Sequence, residues 1–188
     1  FDSVEAYLQP DRPFQVFKVH GSVNWAVHLE TSGGDWDRAA EEFDLSLDDK
    51  EIVMFNKDVP IKQVFDEGRP YYPVLTAPLA GKTDSDLVCP QEHKIALKDF
   101  LRDCKKFLVI GSSGLDADLL DVLQEYAVRP TIIHYVCGRD SKKVRGNFEQ
   151  GAPKFKIPWS SDINLAAEMT FGEYRISGHL EDFVAARA

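Results

Sequence analysis

The sequence predicts an α/β fold built on a doubly wound parallel sheet, and three observations in its second half indicate this. Two uninterrupted apolar runs, at residues 107–110 and 131–137, are typical of strands buried on both faces of a parallel sheet. Segments with apolar residues three or four positions apart surround these runs and predict amphipathic helices. The connections between them are short. Strands that alternate with helices through short connections are characteristic of a parallel sheet covered by helices.

The first half of the chain is less regular. A helix is expected to end near Gln9, before Pro10, and residues 14–19 and 23–25 predict two short strands joined by a turn at His20. Residues 26–86 are interrupted by prolines and glycines, and only residues 52–55 are typical of a buried strand. We therefore expect residues 26–86 to form an inserted lid or small module.

The second half predicts its elements in a clear order. The pattern indicates helix 91–106, strand 107–110, a glycine-serine turn with a helix, strand 131–137, and a helix that carries Val144 and Phe148. A further strand at residues 155–157 and a terminal helix at residues 178–186, capped by Ser177, complete the prediction. His134 falls inside an apolar strand, where we expect a hydrogen-bonded core histidine.

Composition narrows the class of protein. The chain has 188 residues, the size of one domain, and its net charge of -9 argues against direct binding of nucleic acid. The basic cluster Lys142, Lys143 and Arg145 is interpreted as a solvated helix face. No apolar run approaches the roughly 18 residues that span a membrane. The three cysteines form no CxxC pair, so neither a zinc site nor a disulfide framework is expected, and a cytoplasmic location fits.

The first candidate site is the turn at residues 110–118. It follows an apolar strand and brings Gly111, Ser112 and Ser113 to the start of a helix, where ligands of α/β sheets bind and where anionic groups are favoured. The alternative is structural: the glycines make a tight turn and Asp116 caps the helix. A glycine-serine turn alone does not decide between these interpretations.

The second candidate is His20, which is followed directly by Gly21 and Ser22. A neutral imidazole with an ordinary pKa of about 6.5 can accept a proton from a hydroxyl group at working pH. The alternative is a histidine that is hydrogen-bonded within its turn.

Residues 18–25, KVHGSVNW, resemble the KLHGSxNW signature of the sirtuin-like (silent information regulator) superfamily, and most closely that of its bacterial NAD-hydrolysing branch. Three further segments are similar in order and spacing. Residues 1–5 resemble the end of the T-x-N-[FY]-D segment, residues 78–82 resemble a proline-rich stretch that ends in lysine, and residues 108–120 resemble the strand and turn that contact NAD. The resemblance spans roughly residues 1–140.

The resemblance implies roles for individual residues. His20 matches the catalytic histidine, which acts on the nicotinamide-ribose hydroxyls, and Asp2 matches the aspartate of the N-[FY]-D segment. The nucleotide-contacting positions are matched by Gly111, Ser112, Ser113 and Asp116. Gly138, after Cys137, stands where the family has an asparagine on the adenosine side.

Two departures shape the expected function. Sirtuin deacylases carry two CxxC pairs after their histidine, whereas no cysteine lies between Trp25 and Cys89, so we expect no zinc. The reaction then expected is hydrolysis of NAD, the substrate, to nicotinamide and ADP-ribose, in a bacterial anti-phage context. The family's glycine-rich loop and catalytic asparagine are expected upstream of Phe1. We therefore expect the N-terminal part of the fold to be missing from residues 1–188, a single sirtuin-like domain with little activity by itself.

Other functions stay open at this point. The domain could sense NAD or a related nucleotide, or bind a protein, without turnover. It could also be a zinc-independent deacylase or an ADP-ribosyltransferase that uses the same NAD site. A homo-oligomer, or further domains in a larger parent protein, are compatible with each of these functions.

Overall fold

The computed structural model describes residues 5–9, 15–28, 52–55, 71–75, 89–158 and 164–187. The chain divides into two compact units, Phe1–Ala77 with Asp86–Leu97 and Pro78–Ser85 with Lys98–Ala188. Asp2, the segment 78–82 and most of residues 26–86 lie outside the described residues. The inserted lid, and the assignment of residues 1–188 to one sirtuin-like domain, stay predictions.

The first unit contains a three-stranded antiparallel sheet. Its strands are β1 (Gly21–His28), β2 (Ile52–Met54) and β3 (Tyr71–Leu75). β1 is central and pairs with β2 along one edge and with β3 along the other. The core of this sheet consists of Trp25, Val27 and Val74, together with Tyr7 from a short 3₁₀ helix, Glu5–Leu8. The predicted strand at residues 52–55 is thereby confirmed over Ile52–Met54.

The strand predicted at residues 14–19 is wrong for its described part. Residues 15–18 adopt no regular structure and residues 19–20 form a turn. The backbone of this segment is held by isolated hydrogen bonds, such as the one that Val16 N donates to Tyr7 O at 3.1 Å. β1 is longer than the predicted strand 23–25 because both of its edges are paired.

The second unit has the predicted α/β class, with a three-stranded parallel sheet. Its strands are β4 (Lys106–Ile110), β5 (Ile132–Val136) and β6 (Leu165–Ala167). The described helices of the chain in order are α1 (Gln91–Asp103), of which residues 91–97 are assigned to the first unit, α2 (Ala117–Tyr126), α3 (Ser141–Gly151), α4 (Phe171–Ile176) and α5 (His179–Ala185). α2 joins β4 to β5, and α3 lies between β5 and β6. The described strands follow chain order in the sheet, so the reversal of a doubly wound sheet is not among them and stays a prediction.

Burial differs between the two predicted parallel strands. Every residue of β5 is buried, as the apolar run predicts. β4 is only half-buried and its last residue, Ile110, is exposed. β5 pairs with β4 on one side and β6 on the other, which explains why it forms the interior of this unit.

The third parallel strand is not where the sequence pattern placed it. Pro153–Phe155 forms a 3₁₀ helix and residues 156–158 have no regular structure, so the predicted strand 155–157 is wrong. Phe155 is buried against the rings of Phe107 and Phe148, with centroids 4.8 Å and 5.9 Å away. Its apolar side chain therefore packs against the sheet from a turn. β6, which pairs with β5, had no clear sequence signal.

The ends of the C-terminal helices also differ from the prediction. Thr170 caps α4 in a capping box with Glu173, and these hydrogen bonds from Thr170 lower the pKa of the Glu173 carboxyl. The N-cap of α5 is Gly178, with φ of 85°, and Ser177 belongs to the end of α4.

None of the helices in the described ranges is long and apolar enough to cross a membrane.

His134 is a buried, hydrogen-bonded core residue, as predicted. Its Nδ1 lies 2.5 Å from the hydroxyl of Tyr174, which links β5 to α4. Burial, with smaller contributions from Asp182 and Glu181, raises the pKa of Tyr174 to about 12. The phenol therefore keeps its proton at neutral pH and can donate it to the imidazole.

We expect Tyr174→Phe to lower the free energy of unfolding by about 1–2 kcal/mol, because a buried hydrogen bond is lost. Urea denaturation measures the change. Tyr126→Phe is the control, since the Tyr126 hydroxyl makes no hydrogen bond within the described part of the chain. Equal stability of the two variants would contradict a stabilising role for the His134–Tyr174 contact.

Candidate functional site

The turn after β4 contains two glycines in the left-handed region, Gly111 with φ of 62° and Gly114 with φ of 68°. A Cβ on Gly114 would lie 2.9 Å from the Phe148 ring and 3.0 Å from Val144 O, so Gly114 is required by packing. A Cβ on Gly111 would meet no atom within 4 Å. Gly111 thus supplies the turn geometry while leaving open space at its Cα.

Ser112 and Ser113 stabilise this turn and keep polar groups available. The Ser112 hydroxyl accepts a hydrogen bond from Gly114 N at 3.0 Å, and the Ser113 hydroxyl accepts one from Leu115 N at 3.3 Å. Asn147 donates to Ser113 O at 2.8 Å and ties the turn to α3. Within the described residues, no partner accepts from the two serine amides or from their hydroxyl hydrogens. The turn therefore offers four hydrogen-bond donors.

Asp116 has the structural role that the sequence analysis gave as the alternative. It is the N-cap of α2, and its carboxylate accepts a hydrogen bond from Leu119 N at 3.2 Å. Its backbone carbonyl accepts from Leu120 N at 3.0 Å. The capping interpretation is confirmed, and contact with a nucleotide stays a prediction.

The turn after β5 is organised by Ser141, which the sequence analysis did not select. The Ser141 hydroxyl is completely buried and accepts a hydrogen bond from Cys137 N at 2.8 Å. It lies 2.8 Å from Gly138 O and 2.5 Å from Ala167 O, so its single hydrogen is shared between two carbonyl acceptors. A serine three residues after a strand-ending glycine was the available sequence signal.

Gly138 matches Gly111 in two respects. Its φ is 61°, and a Cβ added to it would meet no atom within 4 Å. Its amide donates to Met169 O at 3.2 Å, which connects the turn after β5 to the segment after β6. Both glycines therefore terminate a parallel strand with open space above the backbone.

The predicted nucleotide-binding residues of the second unit come together at one edge. Ile110 and Val136 are in register at the ends of β4 and β5, and Gly111 N donates to Val136 O at 3.2 Å. We call this region the carboxyl edge. It consists of the turns that follow β4, β5 and β6, and it contains Gly111, Ser112, Ser113, Asp116 and Gly138.

The carboxyl edge also exposes apolar side chains that the sequence analysis did not select. Ile110, Leu115 and Phe171 are 46%, 50% and 39% exposed. Phe171 stacks on Tyr174 with an interplanar angle of 23°. Polar donors beside exposed apolar groups suit a ligand that has both an anionic part and a flat apolar part.

His20 belongs to the first unit. The sequence predicted it at the end of a strand, whereas in the structure it lies directly before one, β1. It is half-buried in the turn 19–20 that leads into β1. Gly21, with φ of 75°, is required there because a Cβ would lie 2.0 Å from Val74 O. Close approach of β3 thus fixes the backbone that carries His20.

The other signature residues in this turn form an internal network. Lys18 Nζ donates to the Ser22 hydroxyl at 2.7 Å, and that hydroxyl donates to Asn24 Oδ1 at 2.7 Å. Asn24 in turn bonds the backbone of Phe55 twice. The Asn24 side-chain nitrogen donates to Phe55 O, and Phe55 N donates to the backbone carbonyl of Asn24. Ser22 is buried, so it does not provide an open face beside His20.

Trp25 completes the signature in the core of the first unit. Its ring makes edge-to-face contacts with Tyr7 and His93, both with centroids 5.7 Å away, and Lys18 Nζ lies 5.8 Å from its centroid. These contacts anchor the turn through aromatic packing. Most of the signature therefore acts in holding the backbone beside His20.

Asp2, the other predicted catalytic residue, lies outside the described residues. The described ranges contain no group of three histidine, cysteine or acidic side chains that could hold a metal ion. The expectation that the protein uses no zinc stays a prediction. Comparisons with protein-family models, curated proteins and solved structures gave no match for the chain.

We expect alanine to affect stability differently at the two glycines of the β4 turn. Gly111→Ala introduces only the left-handed strain, about 1 kcal/mol. Gly114→Ala adds overlap with Val144 O and the Phe148 ring, which should cost about 1–3 kcal/mol more. Urea denaturation of the two variants measures the difference, and an equal loss in both would show that the packing around Gly114 is wrong.

Proposed function

We propose that the protein hydrolyses NAD between nicotinamide and ribose, and that the carboxyl edge binds the dinucleotide. The observation that carries the proposal is the pairing of Gly111 and Gly138 at neighbouring strand ends, each with open space at its Cα. Ligands of open α/β sheets bind beyond the carboxyl ends of the strands. The resemblance of residues 18–25 and 108–120 to sirtuin-like signatures supports the choice of NAD.

The chemistry of the carboxyl edge supports a nucleotide as ligand. The amides and hydroxyls of Ser112 and Ser113 are hydrogen-bond donors suited to phosphate and ribose oxygens. The exposed Leu115 and Phe171 offer apolar surface for a base.

The proposed reaction breaks the bond between C1′ of the ribose and the pyridinium nitrogen. The electron pair of this bond passes to the pyridinium ring, so nicotinamide leaves as a neutral molecule. Water adds to C1′ and releases a proton, which gives ADP-ribose. The resemblance assigns to His20 the polarisation of a ribose hydroxyl as the oxocarbenium-like charge develops. Asp2 is assigned to the same reaction from the resemblance alone.

A second candidate function is a nucleotide-sensing module without turnover. The network of Lys18, Ser22 and Asn24 favours it, because three polar signature residues are satisfied by contacts within the protein. In such a module His20 would also be structural. Binding of NAD without release of nicotinamide would distinguish this candidate from the hydrolase.

We expect His20→Ala to reduce the rate of nicotinamide release from NAD by at least about 100-fold, the usual contribution of a general acid–base group. Chromatography of nicotinamide and ADP-ribose in the whole protein measures this rate. His179→Ala is the matched control, because His179 lies at the start of α5 and not in the signature turn. A loss of no more than about threefold in His20→Ala would contradict a catalytic role.

The products separate the remaining alternatives. Hydrolysis predicts equal amounts of nicotinamide and ADP-ribose with no requirement for a second substrate. Nicotinamide release that depends on an acylated peptide would indicate a deacylase. ADP-ribose attached to protein would indicate a transferase, and either result would contradict simple hydrolysis.

A further inference from the structure

Two cations at the carboxyl edge have no acidic partner among the described residues. The turn after β5 continues through a 3₁₀ helix, Gly138–Asp140, into α3, and this stretch carries Arg139, Lys142 and Lys143. Lys142 pairs with Glu168 at 2.7 Å, at the end of β6. Arg139 and Lys143 are exposed, and no acidic side chain in the described ranges pairs with either.

Arg139 and Lys143 both lie close in sequence to Gly138, in the stretch that leads from the turn after β5 into α3. Arg139 lies in the 3₁₀ helix and Lys143 in the first turn of α3, four positions further along the chain. Together they present two positive charges beside Gly138, whose Cα faces open space.

The position of these cations suggests what they bind. In βαβ nucleotide sites, the glycine turn follows the first strand, and the end of the second strand approaches the adenosine ribose. An acidic residue there accepts hydrogen bonds from the free ribose hydroxyls, whereas an arginine accommodates a phosphate on the ribose. In this chain β4 provides the glycine turn, and β5 is followed by Cys137, Gly138 and Arg139.

We propose that the carboxyl edge takes a dinucleotide whose adenosine ribose carries a 2′-phosphate, as in NADP, in preference to NAD. This inference rests on the proposed function and names its substrate class more closely. The guanidinium of Arg139 would bind the phosphate oxygens in a planar, two-pronged arrangement, and Lys143 would add a point charge. Cys137 stands directly after β5 and offers no carboxylate for a free ribose hydroxyl.

Asp140 is the one feature that favours the unphosphorylated ribose. It is exposed, and as the N-cap of α3 it makes no side-chain capping bond. A carboxylate at this point would repel a phosphate and would accept a hydrogen bond from a ribose hydroxyl. Arg139 directly precedes Asp140 and Lys143 follows it by three residues, so the two cations outnumber this carboxylate, and we assign the phosphate to them.

The test compares equilibrium binding of adenosine 2′,5′-bisphosphate, adenosine 3′,5′-bisphosphate and 5′-AMP by calorimetry at constant ionic strength, using the whole protein. We expect the 2′,5′-bisphosphate to bind about tenfold to a hundredfold more tightly than AMP, since one charge-assisted contact is gained. The 3′,5′ isomer carries the same charge and controls for unspecific attraction of anions. NADP should exceed NAD by a similar factor.

Matched variants locate the effect. Arg139→Gln should remove most of the preference for the 2′-phosphate, measured as the ratio of the affinities for the 2′,5′-bisphosphate and AMP. Arg129→Gln makes the same charge change before β5, at the opposite edge of the sheet, and should leave the preference intact. Asp140→Asn should not weaken binding of AMP or NAD.

Four results would overturn the inference. Equal binding of the two bisphosphates shows unspecific anion attraction. Equal binding of AMP and the 2′,5′-bisphosphate, or loss of NAD affinity in Asp140→Asn with no effect of Arg139→Gln, shows that the edge accepts the free ribose, which leaves NAD hydrolysis standing. If no adenine nucleotide binds, the proposed function itself is wrong and the inference falls with it.

Discussion

The carboxyl edge depends on the hydrogen bonds that the buried hydroxyl of Ser141 makes. This hydroxyl joins Cys137 N at the end of β5, Gly138 O in the following turn and Ala167 O at the end of β6. Ser141 is fully buried, so loss of its hydroxyl would leave a buried acceptor, Ala167 O, without this hydrogen bond. The turn that carries Gly138 is thereby held in one position relative to the strands, and the neighbouring amide of Gly138 is fixed on Met169 O.

The edge combines rigid backbone with unused hydrogen-bonding capacity. Gly114 is fixed by packing, and the serine hydroxyls accept hydrogen bonds that shape the turn. No group in the described part of the chain accepts from the two hydroxyl hydrogens or from the two serine amides. A site with preformed donors binds an anion without the entropy loss of ordering a flexible loop. The turn at His20 in the first unit is held in a similar way, by close packing at Gly21 and by the hydrogen bond from Lys18 to Ser22.

The parts of the fold that leave a local pattern in the sequence were predicted correctly. The apolar run of β5 and the periodic helices were predicted because burial on both faces and a helical stripe each leave a direct signature. β6 was missed, and residues 155–157 were taken for a strand, because an apolar residue such as Phe155 can be buried from a turn as well as from a sheet. The glycine-serine turn was identified, whereas Ser141 was not, since its role comes from tertiary neighbours, Cys137, Gly138 and Ala167.

Backbone amide shifts in a nuclear magnetic resonance titration with a non-hydrolysable NAD analogue test the central claim most directly. If the carboxyl edge binds the dinucleotide, saturable shifts should concentrate at the amides of Gly111, Ser112, Ser113 and Gly138. The amides of Thr131 and Ile132, at the opposite end of β5, should change little. Shifts confined to that opposite end, or no shifts in the second unit at saturating ligand, would contradict the account.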